Sequence, residues 1–92
     1  MGGFAQLHKG AVAAGELDQR TKELIALGID IAARCDGCVA YHVHDAIAAG
    51  ASRPEMLETI GVAVFMGGGP ALMYGAEALD AIEQFAAAGQ TA

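Results

Sequence analysis

Two cysteines and one histidine are the residues of this 92-residue chain whose types and spacing suit chemistry. The segment C-D-G-C runs from Cys35 to Cys38, and His42 follows four residues later. At about 100° per residue along an α-helix, Cys38 lies about 60° from Cys35 and His42 about 20° from it, so the three side chains can share one face. His44 lies about 180° from Cys35 and is predicted to point away. A CxxC pair beside a histidine therefore indicates a redox pair or a metal site.

The cysteine pair falls at the predicted start of a helix over residues 37–49. Unpaired backbone N–H groups and the helix dipole at such a position favour a thiolate over a thiol. Cys38 lies inside the first turn and should feel these amides more than Cys35 does. We therefore predict that Cys38 is the nucleophile and Cys35 its disulfide partner. His42, one turn further along, is predicted to accept and return a proton.

A carboxylate is needed to orient and polarise this histidine, and Glu23 on the preceding predicted helix is the candidate. If the two helices are antiparallel, Glu23 lies about 15 Å and His42 about 9 Å from the turn that joins them. The remaining offset suits a long side chain plus one water molecule. Taken alone, Glu23 would be interpreted as a solvated residue on a helix face.

A zinc site is the competing interpretation of the same residues. Cys35, Cys38 and His42 supply three zinc ligands, and Glu23 or a water molecule would be the fourth. The chain would then be a zinc-stabilised helical assembly module without redox turnover. Structural zinc sites usually take four Cys or His ligands, which favours the redox interpretation. Interpreting the three residues as inert core is disfavoured, because a CxxC pair with a histidine on the same face seldom arises from packing alone.

Helices separated by glycine account for the whole sequence, and no alternating strand pattern of useful length is present. Asp18 is a predicted N-cap, and Ser52 with Glu55 and Pro54 forms a predicted helix start. The sequence thus predicts one all-α domain over residues 1–92, a compact bundle of about five helices. Their predicted ranges are 4–14, 19–33, 37–49, 53–65 and 70–87. Helical spacing of apolar residues predicts a largely buried second helix. It also predicts an inward stripe in the first helix and in the fifth: Phe4, Leu7, Ala11 and Ala14, and Leu72, Ala76, Leu79, Ile82 and Phe85.

The composition and charge of the chain restrict the kinds of partner that we expect. The chain is 54% hydrophobic and 17% charged, an apolar excess for a domain this small, so we expect a homo-oligomer. A formal charge of −6 disfavours nucleic acid and anionic lipid. The longest apolar run, residues 60–73, is broken by glycines and Pro70 and is too short to span a bilayer. With no secretory pattern at the N-terminus, we expect a cytoplasmic protein with no membrane partner and no cofactor.

The chemistry-bearing segment also resembles a known family. Glu23, eleven residues and then C-D-G-C-V-A-Y-H is similar to the E-x11-C-x2-C-x3-H signature of alkylhydroperoxidase D (AhpD)-like proteins. The segments A-G-A-S-R-P-E-M and G-V-A-V-F-M-G-G-G-P-A-L-M-Y are similar to that family as well. It belongs to the carboxymuconolactone decarboxylase superfamily, and the resemblance extends over about residues 17–85.

This resemblance implies an all-helical fold assembled into trimers or hexamers and a thiol-dependent peroxidase activity. By analogy, Cys38 would be oxidised to a sulfenic acid, Cys35 would resolve it into a disulfide, and Glu23 with His42 would relay protons. The implied reductant is a dithiol, such as a lipoyl group on a partner protein. Gly37 stands where a well-known member has a histidine, so the resemblance supports a disulfide reductase equally. The superfamily's decarboxylases lack the cysteine pair, which makes that activity a distant alternative.

Overall fold

The computed structural model describes the backbone of residues 2–91 and the side chains of residues 2–87. The all-α prediction is confirmed, and no strand occurs in this range. Five α-helices and one 3-10 turn, Gly69–Ala71, follow one another along the chain. The helices are α1, Gly2–Val12; α2, Gln19–Ala33; α3, Asp36–Ala48; α4, Arg53–Gly67; and α5, Leu72–Thr91. The predicted bounds of α2 and the predicted start of α4 agree with the structure, and the other helix ends differ by one to four residues.

The starts of α2 and α4 are fixed by the side chains that the sequence predicted. The Asp18 carboxylate accepts a hydrogen bond from the Thr21 N–H at 2.8 Å. At α4 the Ser52 hydroxyl accepts from the Glu55 N–H, and the Glu55 carboxylate accepts from the Ser52 N–H at 2.8 Å. Pro54 lies in the first turn, where its missing N–H leaves no hydrogen bond unmade. These caps satisfy amides that the helices themselves leave unpaired.

The turn between α2 and α3 is short and tightly bonded. Arg34 ends α2 in the left-handed conformation, with φ of 60°. Cys35 follows in an extended conformation and is the N-cap of α3. Its N–H donates to the Asp30 carbonyl at 3.0 Å, which ties the start of α3 to the last turn of α2. The chain therefore reverses over two residues and brings α3 back alongside α2.

The core lies where α2 packs against α3 and α4, and where α3 and α4 pack against α5. Its large members are Leu27, Ile31, Val39, Val43 and Ile82. Met56 and five alanines fill the rest of the core: Ala46, Ala63, Ala71, Ala78 and Ala81. Small residues at these positions let the helix axes approach closely.

The core face of α5 differs from the one that the sequence predicts. Leu72, Ala76, Leu79, Ile82 and Phe85 were expected to face inward. Ile82 is buried and Phe85 packs against the core, but the other three are exposed. α4 comes so close to α5 at Gly75 that a larger residue does not fit between the two helices there. At the centre of this contact, a Cβ on Gly75 would lie 3.0 Å from Val64 Cγ2 and 3.1 Å from Ile60 Cγ2.

Many apolar side chains remain on the surface of the single chain. In α1, Phe4 and Leu7 of the predicted inward stripe are both exposed, and this helix buries no residue. Ile25 and Ile29 of α2, a helix predicted to be largely buried, are exposed as well. Phe65 near the end of α4 is 82% exposed. Among the helices that the structure describes, none combines the length and the apolarity needed to cross a membrane.

Candidate functional site

The cysteine pair lies at the start of α3, as predicted. Cys35 and Cys38 form a disulfide with their Cα atoms 5.3 Å apart. Because α3 begins at Asp36, Cys38 is its third residue, and its N–H donates to the Cys35 carbonyl at 3.2 Å. Both cysteines are partly exposed, so a reactant can reach the sulfur atoms from solvent. The structure therefore describes the oxidised form of a pair that can link within one chain.

The position of His42 follows from its place in the same helix. It lies one turn beyond Cys38, a spacing that places two helical side chains next to each other. Its Nδ1 is hydrogen-bonded to Oδ2 of Asp30, in the last turn of α2. With the Asp30 carboxylate accepting from Nδ1–H, Nε2 is the ring nitrogen that carries a free lone pair. The imidazole is therefore oriented by a carboxylate and keeps one nitrogen for proton exchange.

Asp30, which sequence reasoning missed, takes the role that was assigned to Glu23. It bonds the His42 ring through its carboxylate and the Cys35 N–H through its carbonyl. Asp30 lies seven residues after Glu23, so both project from nearly the same face of α2. The sequence could have indicated Asp30, because two carboxylates on the same face of α2 are both candidate partners for the histidine.

Glu23 is buried beside this site. Its side chain is only 3% exposed, and Oε1 is buried with no hydrogen-bond partner within the described part of the chain. Burial raises the pKa of the Glu23 carboxyl, the nearby Asp45 carboxylate raises this pKa further, and His42 and His8 partly offset the increase. Glu23 is therefore not the solvated surface residue that its sequence context alone would predict. Its protonated form is favoured relative to that of an exposed glutamate.

His44 lies away from the cysteine pair, on the other side of α3. It is 64% exposed on its side chain, and its ring packs edge-on against Phe85 with centroids 5.5 Å apart. The predicted orientation of His44 agrees with this placement. It is therefore a suitable control residue for experiments on His42.

The arrangement provides the parts of two-electron thiol chemistry. Two sulfurs at a helix start can form and break one bond, and a carboxylate-held imidazole beside them can move protons. A second, buried carboxyl lies close enough to sense the charge of that imidazole. These side chains are sufficient for exchange between a dithiol and a disulfide.

Comparison with known proteins identifies the family. Residues 1–81 match the model of the carboxymuconolactone decarboxylase family. An uncharacterised protein from Cupriavidus necator is 37% identical over 79 residues, which cover 86% of this chain and 70% of that protein.

Two solved structures are similar in both fold and sequence. A carboxymuconolactone decarboxylase family protein from Legionella pneumophila, in its apo form, shares 50% identity at a TM-score of 0.88, over 92% of this chain and 76% of that one. Another family member, from Thermotoga maritima, shares 29% identity at a TM-score of 0.92, over 97% and 92% of the two chains. These matches agree with the AhpD-like resemblance of the sequence, and the chain belongs to the carboxymuconolactone decarboxylase family.

Proposed function

We propose that this protein is a thiol oxidoreductase of the alkylhydroperoxidase type, with Cys38 as nucleophile and Cys35 as resolving residue. The observation that carries the proposal is the disulfide between these residues at the start of α3, one turn before a histidine held by Asp30. The Thermotoga maritima relative, which is suggested to take part in an antioxidative response, agrees with this activity.

The first half of the reaction oxidises the pair. The Cys38 thiolate attacks the terminal oxygen of a hydroperoxide, the O–O bond breaks, and the departing oxygen takes a proton to leave as an alcohol. Cys38 is then a sulfenic acid. The Cys35 sulfur attacks the Cys38 sulfur, water leaves, and the disulfide seen in the structure forms. One peroxide is reduced by two electrons, and both cysteines are oxidised.

Two residues move the protons in this scheme. His42 takes the Cys38 thiol proton on Nε2, because Nδ1 is engaged by Asp30. Glu23 holds a proton more readily than an exposed glutamate does, because its pKa is raised by burial and by Asp45. It supplies that proton towards the leaving oxygen and recovers one when the cycle closes.

The second half of the cycle needs a dithiol donor. One donor thiolate attacks the disulfide to give a mixed disulfide, and the second donor sulfur displaces the protein thiol. The donor leaves oxidised, and Cys35 and Cys38 are reduced. A lipoyl group on a partner protein has the required pair of thiols, and a reducing compartment such as the cytoplasm would maintain it.

A second candidate activity is the reduction of a partner disulfide, and the space beside Gly37 favours it. A Cβ placed on Gly37 would meet nothing within 4 Å. The segment between the two cysteines is therefore open to a reactant larger than a peroxide. The same Cys38 thiolate would then attack a disulfide sulfur, and Cys35 would release the product as a dithiol.

Two single-cysteine variants test the nucleophile. In Cys35→Ser the sulfenic acid on Cys38 has no resolving partner, so peroxide treatment should leave a species that dimedone traps. Cys38→Ser should give no such adduct and no peroxide consumption with a dithiol donor. His44→Gln, altered on the far side of α3, should keep the wild-type rate. Trapping in Cys38→Ser but not in Cys35→Ser would reverse the two assignments.

We also propose that the protein is a homo-oligomer, trimeric or hexameric, in which a second copy covers a groove between α2 and α4. This groove has a volume of about 650 Å³, and apolar side chains dominate its lining, including Ile25, Ile29, Val62 and Met66. All four are exposed in the single chain, and Phe65 lies beside them in sequence. So much contiguous apolar surface is typical of an interface.

A further inference from the structure

Three potential metal ligands converge beside the redox site, outside the cysteine pair. His8 extends from α1, and His42 and Asp45 extend from α3. One ring nitrogen of each histidine and one carboxylate oxygen of Asp45 all lie within 4.8 Å of one another. His8 Nε2 is 3.9 Å from Asp45 Oδ2, too far for a hydrogen bond between them. The cluster therefore brings nitrogen and oxygen donors together without pairing them fully.

A second observation points to a ligand at the same place. Glu23 Oε1 and His8 Nε2 are both buried, and neither has a hydrogen-bond partner within the described residues. Both residues line a cavity of about 270 Å³ together with Asp45 and Tyr41. A buried polar atom left unpaired costs about 1–3 kcal/mol, so two of them facing one cavity call for an occupant.

The geometry points to a divalent transition-metal site of the zinc type, formed by His8, His42 and Asp45. Glu23 lines the same cavity as His8 and Asp45 and is the candidate fourth ligand. Two neutral imidazoles and two carboxylates match the nitrogen and oxygen donors that zinc takes in a four-coordinate site. The two carboxylates also balance the charge of the ion. Metal binding would give the unpaired atoms of Glu23 and His8 their missing partners.

The ligands must move closer to bind an ion. In a tetrahedral site with bonds of about 2.1 Å, the donor atoms lie about 3.4 Å apart, so the 3.9 Å between His8 Nε2 and Asp45 Oδ2 has to shrink. His8 is the ligand best able to move, because α1 buries no residue and packs only weakly on α2. The ion would thus attach α1 to the rest of the bundle.

The environment of His42 fits a metal ligand as well. A ligating histidine usually donates its other ring N–H to a carboxylate, which fixes the tautomer and raises the basicity of the metal-bound nitrogen. Asp30 is that carboxylate, since it bonds Nδ1 and leaves Nε2 free. The site uses neither cysteine, so it is a different site from one built on Cys35 and Cys38. The site goes beyond the proposed redox function and competes with it, because an ion bound to His42 Nε2 and Glu23 would occupy the groups that are proposed to move protons. Zinc binding to the oxidised protein is measured without turnover, so the two proposals are tested separately.

Titration of the oxidised protein with Zn²⁺ tests this site. With Cys35 and Cys38 linked as a disulfide, thiolates cannot contribute ligands. Calorimetry should find about one ion per chain, and Co²⁺ should give the visible absorption of a four-coordinate site without a thiolate charge-transfer band. His8→Gln and Asp45→Asn should each weaken binding by at least about 10-fold, because even an outer partner of a metal ligand contributes that much.

His44 is unsuitable as a control here, because its Nδ1 lies 3.3 Å from Oδ1 of Asp45. Asp80→Asn is the matched control for Asp45→Asn, because Asp80 is an exposed carboxylate of α5 outside the cluster. Asp80→Asn should bind Zn²⁺ as the wild type does. Absence of binding by the oxidised wild type, or wild-type affinity in His8→Gln, would disprove the site. Binding that appears only after reduction of the disulfide would place the ion on the cysteines and would also disprove it. A failure of dimedone trapping in Cys35→Ser would count against the redox proposal alone.

Discussion

Asp30 and His42 are joined by a hydrogen bond between Oδ2 and Nδ1, although they lie twelve positions apart in the sequence and on different helices. The same aspartate accepts the Cys35 N–H through its carbonyl. One residue at the end of α2 thus positions both the imidazole and the backbone from which the first sulfur extends. The chemistry proposed for Cys38 depends on that positioning.

Asp30→Asn should slow the oxidation of Cys38 while the fold is kept. An amide can donate to Nδ1, which would leave the proton on Nε2 and remove the lone pair that is proposed to accept the thiol proton. We expect the rate constant for sulfenic acid formation to fall by about 10-fold or more, since general base catalysis contributes about 10²–10⁴-fold.

Stopped-flow kinetics with peroxide, together with the helical circular dichroism signal, measures this effect. A purely structural role for Asp30 would change the helical signal or raise KM, whereas a positioning role lowers kcat alone. Asp30→Glu keeps the carboxylate and should recover part of the rate. Equal rates in the wild type and Asp30→Asn would exclude the aspartate from the mechanism.

Glu23→Gln should stabilise the fold and impair the reaction. The pKa of Glu23 is raised in the folded protein, chiefly by burial. Its stabilising contribution is therefore complete below the pKa of the unfolded chain and is lost as the pH rises through the folded pKa. Glutamine cannot ionise, so the variant should be more stable than the wild type at neutral pH and lose this advantage in acid.

Thermal unfolding from about pH 4 to pH 8, with a chelator present, measures the difference between the two proteins. The turnover of peroxide should fall in the same variant, because the glutamine amide cannot act as an acid. A wild type that is more stable than Glu23→Gln at pH 8 would show that the carboxylate is paired rather than buried and unpaired.

Gly75→Ala should destabilise the bundle. The added Cβ would lie 3.0 Å from Val64 Cγ2 and 3.1 Å from Ile60 Cγ2, so α4 and α5 would have to move apart. Overpacking of this kind typically costs about 1–3 kcal/mol. Gly61→Ala is the control, since Gly61 lies within α4 with nothing within 4 Å of an added Cβ.

The control should stabilise the fold by about 0.5–1 kcal/mol, because alanine favours the helix more than glycine does. Urea unfolding of both variants gives the comparison. The close contact between α4 and α5 would be disproved if both substitutions stabilised the protein alike.

Ile29→Glu should weaken the proposed oligomer. Ile29 is 61% exposed in the single chain and lines the groove between α2 and α4. A carboxylate there would be buried without a partner when a second copy covers the groove. Light scattering after gel filtration should show smaller particles than for the wild type, whereas Ile29→Met should leave the assembly intact. A monomeric wild type at micromolar concentration would contradict the assembly itself.

Features that depend on neighbouring residues could be predicted from the sequence. The caps at Asp18 and Ser52 act within three residues, so the starts of α2 and α4 follow from local rules. The common placement of Cys38 and His42 also lies within one helix and follows from its periodicity.

Features that depend on how helices pack could not be predicted in the same way. Whether His42 meets Asp30 or Glu23 is decided by the axial offset between α2 and α3, which the tight turn at Arg34 and Cys35 sets. The sequence did not indicate a site role for His8, because the position of His8 depends on how α1 packs on the other helices. The face of α5 that turns inward was misjudged because hydrophobicity favoured Leu72, while the short distance to α4 requires glycine and alanine.

Because of the backbone position of Cys35, the oxidation state of the disulfide affects the stability of the N-terminal end of α3. Cys35 is the N-cap of α3, yet its sulfur accepts no hydrogen bond from the amides there while it is linked to Cys38. After reduction the Cys35 sulfur can accept from those amides, which a disulfide sulfur uses poorly, while Cys38 remains the residue proposed to attack the substrate. Reduction would therefore strengthen the start of α3, and the helix itself would contribute to the tendency of the disulfide to accept electrons.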